Sequence, residues 1–373
     1  MSTSDSTVKR AKRSGNPVIH GNQATFIWEG KSAPHLMSDV KGWDSTARPF
    51  KRIHPSSTSG SHISSPSRKP VWSCSLTVPR DAYIEYIFYN PDTKKRFLDP
   101  LNRHTVNNGM GNRNNYFYMP ETMPSPFAMR RADVHIGLLS SHRVETKWLR
   151  DDHEREVYLY RPSAKGPVPL LIVYDGQDYM QRAKLTTIVD NLIADKRIQP
   201  IAMAFLPHAG RWRNVEYACS DGTLLWIDQV ILPLARKRLN LLDIEKHPGA
   251  YGVLGASLGG TMSLYTGLRM PEVFGKVLSQ SGAFAIESLD FAAVELVKLE
   301  HARDINIWMD VGRLDELLED NRGMHALLKE KGYQVTYREF TAGHCYTAWR
   351  DDIWRGLEAM FPHSRPRENI GTM

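Results

Sequence analysis

The sequence predicts an α/β protein in which a mainly parallel sheet follows a small antiparallel β-sandwich. Two observations predict the parallel sheet. Continuous apolar runs such as VPLLIVYDG (168–176) are typical of strands buried on both faces, and they alternate with helical stretches such as KLTTIVDNLIADKR (184–197). A third observation predicts the sandwich: from ATFIWEG (24–30) to NNYFYMP (114–120), short β-branched and aromatic runs are separated by turn residues.

Shifts in composition predict the order of domains. Residues 1–17 are polar and are predicted to be a disordered tail, and residues 18–120 form the sandwich. Residues 121–130 contain prolines and are predicted to be a linker to the α/β domain at 131–373. The stretch 54–70 is rich in Ser, Pro and Gly and is predicted to be a long mobile loop.

The same patterns predict the remaining elements in chain order. The further strands are VWSCSLTVP (71–79), AYIEYIFYN (82–90), EREVYLYRP (154–162), QPIAMAFLP (199–207) and DINIWMDVG (304–312). The further helices are LLWIDQVILPLARKRL (224–239), GGTMSLYTGLRMP (259–271) and NRGMHALLKEKG (321–332). Because strands and helices alternate, helices are expected on both faces of the sheet.

Charge and composition exclude several classes of protein. The net charge of +7 over 373 residues favours anionic ligands, although part of it lies in KRAKR (9–13). No Arg/Lys stripe interleaved with aromatic residues is present, so a nucleic-acid partner is not expected. Cys74, Cys219 and Cys345 cannot pair completely and have no metal-site spacing, which indicates reduced thiols. Without an apolar leader or a membrane-length run, the expected location is cytoplasmic, with no membrane partner.

The stretch YGVLGASLGGTMSLY (251–265) contains the pattern G-x-S-x-G around Ser257. An apolar strand precedes the serine and a helix follows it, which is the context of a nucleophile elbow. The flanking Gly255 and Gly259 allow the tight turn. The alternative is a strand-to-helix turn that needs small residues for packing alone. The context favours a catalytic serine.

A serine hydroxyl needs a base, and His344 is the favoured one. It lies in EFTAGHCYTAWRDDIW (339–354), after a strand and a glycine, and it follows the serine in the chain order Ser, acid, His. An exposed loop histidine with no catalytic role is the alternative. The other downstream histidines lie in helical or tail contexts.

The acid that orients the histidine is expected in IWMDVGRLDELLEDN (307–321). Asp310 lies inside the strand, whereas Asp315 lies just past its carboxyl end, where sites collect in open α/β sheets. Asp315 is therefore favoured. The alternatives that stay open are Glu316, Glu319 and Asp320.

Two backbone N–H groups are expected to stabilise an oxyanion on the substrate. One is the N–H of Leu258, at the start of the helix after the serine. The other is the N–H of Gln177 in VYDGQDY (173–179), where Gly176 allows the turn.

These motifs resemble one known family. YDGQ, RNVEY (213–217), GASLGG, LSQSGAF (278–284), VGRLD and AGHCYTAWR occur in the order seen in the esterase D and enterochelin (enterobactin) esterase family. The N-terminal block, with DVKGWD (39–44) and FLDPLN (97–102), resembles the early-set immunoglobulin-like domain that such esterases carry. The resemblance therefore implies an α/β-hydrolase domain preceded by an immunoglobulin-like sandwich.

The resemblance also implies a serine esterase that needs no metal or organic cofactor. The roles it assigns are Ser257 as nucleophile, His344 as base, Asp315 as acid, and the N–H groups of Gln177 and Leu258 as the oxyanion hole. Arg213 and Glu216 match a family motif beside the active site, which implies that they bind substrate or position a loop.

The expected partner is a small-molecule ester, and by resemblance the favoured substrate is a catecholate siderophore trilactone such as enterobactin or its ferric complex. The family often has Glu at the acid position where this chain has Asp, which leaves the substrate open. The alternatives are a feruloyl or acetyl carbohydrate esterase, a general short-chain carboxylesterase, and a catalytically silent binding protein.

Trp28, Trp43 and Trp72 could form a sugar-stacking platform, but core packing is favoured. The sequence predicts no oligomeric state.

Overall fold

The structure, a computed structural model, describes residues 3–40, 43, 47–53, 69–150, 154–287 and 289–363. It divides the chain into two units. The first unit consists of Met1–Met123, Arg313–Asp315 and Thr341–Cys345, and the second consists of Pro124–Gly312, Glu316–Phe340 and Tyr346–Met373. The break between Met123 and Pro124 falls inside the predicted linker. Most of the loop predicted at 54–70 lies outside the described residues.

One helix and ten strands lie in the described residues of the first unit. They are α1 (Thr3–Ser14), β1 (Val18–His20), β2 (Gln23–Glu29), β3 (His35–Ser38), β4 (Arg48–Pro49), β5 (Lys51–Ile53), β6 (Val71–Thr77), β7 (Tyr83–Asn90), β8 (Lys95–Phe97), β9 (Thr105–Asn107) and β10 (Arg113–Tyr118). One sheet has the order β1-β2-β6-β5, and the other has the order β4-β3-β7-β10-β9 with β8 on β7. All the pairings are antiparallel, and β2, β6, β7 and β10 confirm the strands predicted from the sequence.

Aromatic side chains form the core of the first unit. Phe26 packs edge to face against Tyr86, with ring centroids 4.7 Å apart, and all three rings of Phe26, Tyr86 and Phe88 are buried. Trp28 and Trp72 are partly buried against the same cluster. These two tryptophans therefore pack against the core, as the sequence favoured.

The helix α1 corrects the prediction of a disordered tail. Val8 and Ala11 lie three residues apart, so they face the same side of a helix. Ala11 is buried and packs with Val18 and Ile27, and Val8 packs against the same cluster. A small apolar face is enough to pack this mostly charged helix against the strands. Composition alone did not predict the helix.

Ten strands lie in the part of the second unit that the structure describes. They are β11 (Leu138–Val144), β12 (Arg155–Arg161), β13 (Leu170–Tyr174), β14 (Ala202–Leu206), β15 (Gly252–Ala256), β16 (Lys276–Gln280), β17 (Ala285–Ile286), β18 (Leu289–Asp290), β19 (Asn306–Gly312) and β20 (Gln334–Phe340). Eight of them form one sheet in the order β11-β12-β14-β13-β15-β16-β19-β20. Both pairings of β12 are antiparallel and the remaining pairings in this sheet are parallel, as predicted for the buried apolar runs.

Nine helices are labelled in the described part of the second unit. They are α2 (Gly176–Gln181), α3 (Leu185–Ala194), α4 (Arg213–Tyr217), α5 (Asp221–Trp226), α6 (Leu232–Arg238), α7 (Leu258–Arg269), α8 (Ala292–Leu299), α9 (Leu318–Glu330) and α10 (Tyr346–Met360). A 3₁₀ turn at Gly210–Trp212 precedes α4, and a π-helical turn at Ile227–Ile231 joins α5 to α6 within the helix predicted at 224–239. None of the helices in the described ranges is long and apolar enough to cross a lipid bilayer.

Alternate residues of β13 show how the sheet is covered. Leu170 and Ile172 belong to one buried cluster, whereas Leu171 and Val173 belong to another. The first cluster contains side chains from α5, α7, α8 and α9, and the second contains side chains from α2, α3 and α10. Successive residues of a strand point to opposite faces, so helices cover both faces of this sheet, as predicted.

Candidate active site

The turn between β15 and α7 holds Ser257 in a rarely populated backbone conformation. Its φ is 58° and its ψ is −128°, which costs a residue other than glycine on the order of 1–3 kcal/mol. The N–H of Ser257 donates to the carbonyl oxygen of Gln280 at 2.9 Å, and its own carbonyl oxygen accepts from the N–H of Gly260 at 2.9 Å. The structure therefore places a strained, partly exposed serine between strand and helix.

Glycines around Ser257 allow the backbone to approach itself closely. A Cβ on Gly255 would lie 2.3 Å from the carbonyl oxygen of Gly259. A Cβ on Gly260 would lie 2.7 Å from the Oγ of Ser279. Favourable van der Waals contact needs roughly 3.5 Å, so a larger residue would force the turn open.

Asp315 and His344 form a hydrogen-bonded pair within the first unit. The Nδ1 of His344 lies 2.9 Å from Oδ2 and 3.1 Å from Oδ1 of Asp315. The Asp315 side chain is 0% exposed and that of His344 is 28% exposed. A buried carboxylate on Nδ1 orients the ring and selects Nε2 as the atom that can take up a proton. Of the alternative acids, Glu319 is bonded to Arg322.

The three predicted catalytic residues all follow parallel strands. Ser257 follows β15 directly, Asp315 follows β19, and His344 follows β20. In open α/β sheets, functional groups collect outside the carboxyl ends of the strands. Ser257 belongs to the second unit, whereas Asp315 and His344 belong to the first.

The two predicted oxyanion donors lie at helix starts in the second unit. Leu258 is the first residue of α7, and Gln177 is the second residue of α2. The first N–H groups of a helix have no acceptor within it. β13 and β15, which precede these helices, pair directly, and a Cβ on Gly259 would lie 3.3 Å from Oδ2 of Asp175. The structure therefore brings the two turns together.

Gly176 in the first of these turns lies against neighbouring backbone. A Cβ at this position would lie 2.6 Å from the N of Leu206. The side chain of Gln177 also holds the next loop, because its Oε1 accepts from the N–H of His208 at 3.2 Å. The turn around Gln177 is thus fixed on two sides.

Arg213 braces the same turn. Its guanidinium donates to both carboxylate oxygens of Asp175, reaches the carbonyl oxygen of Ala256 at 3.4 Å, and lies over the ring of Tyr217. Burial alone would lower the pKa of the Arg213 guanidinium, but its hydrogen bonds with Asp175 raise the pKa overall. Of the two roles implied for Arg213, these contacts fit loop positioning.

Glu216 is not placed to contact a substrate. Its carboxylate forms two hydrogen bonds of 2.8 Å with Arg155, and its side chain is only 3% exposed. Its carbonyl oxygen accepts from the hydroxyl of Thr223 at 2.7 Å. The substrate-binding expectation for Glu216 is therefore corrected: the side chain is a buried structural partner of Arg155.

Gln280 connects the Ser257 turn to a buried carboxyl group. Its Nε2 donates to Oδ2 of Asp310 at 2.9 Å, and its Oε1 accepts from the hydroxyl of Tyr179 at 2.9 Å. Burial, followed by the negative charge of Asp352, raises the pKa of Asp310 well above its usual range. Gln280 therefore links the Ser257 turn to a buried carboxyl group whose surroundings favour the protonated form.

The sequence reasoning missed the positioning roles of Asp175 and Gln280. Both residues lie inside motifs that carried the resemblance, YDGQ and LSQSGAF. The available signal for Asp175 was the acidic residue in YDGQ together with the basic residue in RNVEY, because two such charges can form an ion pair. In the described part of the chain, no three His, Cys, Asp or Glu side chains are arranged to hold a metal ion.

Comparison with known proteins identifies related sequences. A family model described as putative esterase matches residues 150–360, more than half of the chain. An iron(III) enterobactin esterase of Dickeya dadantii is 27% identical over 293 residues, which cover 72% of this chain and 66% of that protein. The match therefore spans just under two thirds of the relative's length.

Two solved structures share the fold. The ferric enterobactin esterase of Salmonella typhimurium aligns with a TM-score of 0.76 at 19% identity, covering 95% of this chain and 98% of that one. A ferulic acid esterase of Anaeromyces mucronatus, solved with ferulic acid, aligns with a TM-score of 0.52 at 16% identity, covering 63% and 95%. Together with the mixed α/β sheet, these likenesses show an α/β-hydrolase-like fold.

Proposed function

This chain belongs to the putative esterase family, and we propose that it hydrolyses carboxylic esters through Ser257, His344 and Asp315. The observation that carries the proposal is the buried Asp315 carboxylate on Nδ1 of His344, in a chain that also holds Ser257 on a strained turn. A structural histidine would not need a fully buried carboxylate to set its tautomer.

In the proposed mechanism, Nε2 of His344 takes the proton of Ser257 as Oγ attacks the ester carbonyl carbon. The carbonyl π bond opens to an oxyanion that accepts from the N–H groups of Gln177 and Leu258. The oxyanion then collapses, the ester C–O bond breaks, and the imidazolium returns the proton to the leaving alcohol. Asp315 stabilises the imidazolium while it exists.

Water completes the cycle. It attacks the acyl-enzyme carbonyl while Nε2 of His344 accepts one of its protons, and a second oxyanion forms at the same donors. Collapse releases the carboxylic acid, and the proton returns to Oγ of Ser257. Protein groups carry out each of these steps, with no cofactor in the scheme.

We propose a catecholate siderophore trilactone of the enterobactin type as the substrate. The relatives from Dickeya dadantii and Escherichia coli are named iron(III) enterobactin esterases, which supports this class. The net charge of +7 suits an anionic ferric catecholate. A cytoplasmic location, proposed with it, would suit the release of iron after uptake.

We also propose that the first unit is an immunoglobulin-like sandwich. Its two antiparallel sheets and the aromatic core of Phe26, Tyr86 and Phe88 support this assignment.

The ferulic acid esterase covers only 63% of this chain, although that chain is itself covered to 95%. A carbohydrate or feruloyl esterase is therefore the second candidate, since its fold accounts for a smaller part of the chain.

The experiment is product analysis by mass spectrometry after incubation with ferric and iron-free enterobactin. Wild type, Ser257→Ala and Ser263→Ala are compared. The Ser263 hydroxyl donates to the carbonyl oxygen of Gly259 inside α7, which makes it a matched control for loss of a hydroxyl. Linear trimer, dimer or monomer of dihydroxybenzoylserine should form with wild type and Ser263→Ala only.

The alternatives give other products. An intact trilactone together with cleaved feruloyl or p-nitrophenyl esters would retain the serine esterase and change the substrate. Equal turnover by wild type and Ser257→Ala on every ester would refute the mechanism, and no turnover of any ester would favour the binding protein.

A further inference from the structure

The segment that carries His344 is bonded to strands of the first unit. The N–H of Tyr83, the first residue of β7, donates to the carbonyl oxygen of Thr341 at 3.0 Å. The hydroxyl of Thr341 donates to Oδ2 of Asp81 at 3.0 Å. One backbone bond and one side-chain bond therefore fix the start of this segment.

The segment that carries Asp315 is bonded to the same place. The N–H of Leu314 donates to the carbonyl oxygen of Ala342 at 3.1 Å. The side chain of Leu314 packs against the aromatic core of the first unit. The two segments that hold Asp315 and His344 are thus tied to each other and to the β-strands around them.

Asp39 packs on the residue that precedes the histidine. A Cβ on Gly343 would lie 2.5 Å from Cγ and 2.6 Å from Oδ1 of Asp39, so the carboxyl group packs directly on the glycine that precedes His344. Two donors fix the carboxyl group in turn. Trp43 Nε1 donates to Oδ1 at 3.1 Å, and the N–H of Glu85 donates to Oδ2 at 2.7 Å.

We propose that Asp39 is a positioning residue for the esterase reaction: packed on Gly343 and held by Trp43 and Glu85, its carboxyl group fixes the orientation in which His344 meets Asp315. The inference rests on the proposed function and gives the first unit a part in it. Asp39 acts through Gly343 and His344, since a carboxyl group seated on the preceding glycine restricts the backbone from which the imidazole projects.

The charges around Asp39 agree with this role. Burial raises the pKa of the Asp39 carboxyl to about 8, with further contributions from the negative charges of Glu85 and Asp315. The Glu85 carboxylate is itself held by the hydroxyl of Tyr83 and the amide of Asn114. A neutral Asp39 packs beside Asp315 without repelling it, whereas an ionised Asp39 is repelled by both carboxylates and is pushed off Gly343.

The test uses the full chain with p-nitrophenyl acetate as the probe and subtracts the rate of Ser257→Ala at each pH. Asp39→Ala removes the carboxyl group from Gly343, and its kcat should fall about 10- to 100-fold while KM changes less than about threefold. Asp39→Asn keeps the shape and cannot ionise, so its kcat at pH 7 should stay within about threefold of wild type.

The pH profile separates positioning from folding. Wild-type kcat should decline above pH 8 as Asp39 ionises, and Asp39→Asn should keep its plateau to pH 9. The control is Asp92→Asn, an exposed carboxylate in the turn before β8 of the same unit, which should keep the wild-type profile. Because Asp39→Asn preserves packing, it stays informative if Asp39→Ala unfolds.

The outcomes distinguish this inference from the proposed function. If Ser257→Ala is inactive but Asp39→Ala keeps wild-type kcat, or Asp39→Asn keeps the wild-type decline above pH 8, then Asp39 does not position His344 and the esterase assignment stands. If wild type and Ser257→Ala have equal rates, the esterase assignment itself fails, and the role of Asp39 fails with it.

Discussion

Arg213 forms a two-point ion pair with Asp175, from Nε to Oδ1 at 2.7 Å and from Nη2 to Oδ2 at 2.6 Å. The Asp175 side chain is 2% exposed, and its backbone has a φ of 50° immediately before α2. Gln177, the proposed oxyanion donor, is two residues further on. The pair therefore holds the residue whose left-handed backbone aims the Gln177 N–H.

This pair predicts that Arg213→Lys lowers kcat about 10-fold or more with little change in KM. A lysine ammonium cannot reproduce the planar two-point contact, so the turn would lose its orientation although the charge remains. Steady-state kinetics on p-nitrophenyl acetate measure the effect. Arg143→Lys on the exposed strand β11 is the control and should match wild type. A rise in KM alone would instead indicate that Arg213 binds substrate.

The Asp315–His344 pair predicts that Asp315→Asn lowers kcat by about 10³- to 10⁴-fold. An amide on Nδ1 favours the wrong tautomer and cannot stabilise the imidazolium. The control is Glu316→Gln, the adjacent and exposed acid that the sequence left open, and it should keep wild-type kcat. If the two variants exchange these outcomes, the acid has been assigned to the wrong residue.

Local patterns predicted the elements of the sheet and the place of the serine. β13 and β15 are apolar runs that had to be buried on both faces, and Ser257 between glycines could fit only a sharp turn. The acid was harder to assign, because Asp315 and Glu316 are adjacent polar residues in one loop. Which of them turns inward is set by tertiary packing, since Asp315 is buried and Glu316 is exposed.

The sequence predicted the histidine segment as part of the α/β domain at 131–373, whereas the structure groups Thr341–Cys345 with the first unit. Contacts such as Tyr83 to Thr341 join residues that are far apart in the chain, and they leave no periodic pattern. For the same reason, the sequence did not show that Arg213 and Glu216 have different structural roles. The two residues are neighbours on α4, but their ion-pair partners are Asp175 and Arg155, which lie on different strands or turns.

The close approach at Gly255 predicts that Gly255→Ala destabilises the fold by about 2 kcal/mol or more, since the added Cβ would meet backbone that cannot move aside. The matched control is Gly323→Ala. Gly323 lies on the exposed side of α9 with nothing near its added Cβ, and alanine there should stabilise the fold by about 0.5–1 kcal/mol. Urea unfolding measures both changes. Similar effects from both substitutions would contradict the role of the turn.

The raised pKa of Asp310 predicts how the free energy of unfolding depends on pH. Its pKa is raised in the folded chain, so between its ordinary value of 3.8 and the higher folded value the native state holds a proton that the unfolded chain has lost. The free energy of unfolding should therefore fall as pH rises across this range, by at most about 1.4 kcal/mol per pH unit from this group. Asp310→Asn cannot ionise, so its decline across this range should be shallower than that of wild type, as measured by urea unfolding at several pH values from about 4 upward. Asp133→Asn is the control: hydrogen bonding to Arg131 lowers the pKa of Asp133, so it is ionised in both states over this range and should leave the slope unchanged. Parallel slopes for wild type and Asp310→Asn would mean that Asp310 is already ionised in the folded protein.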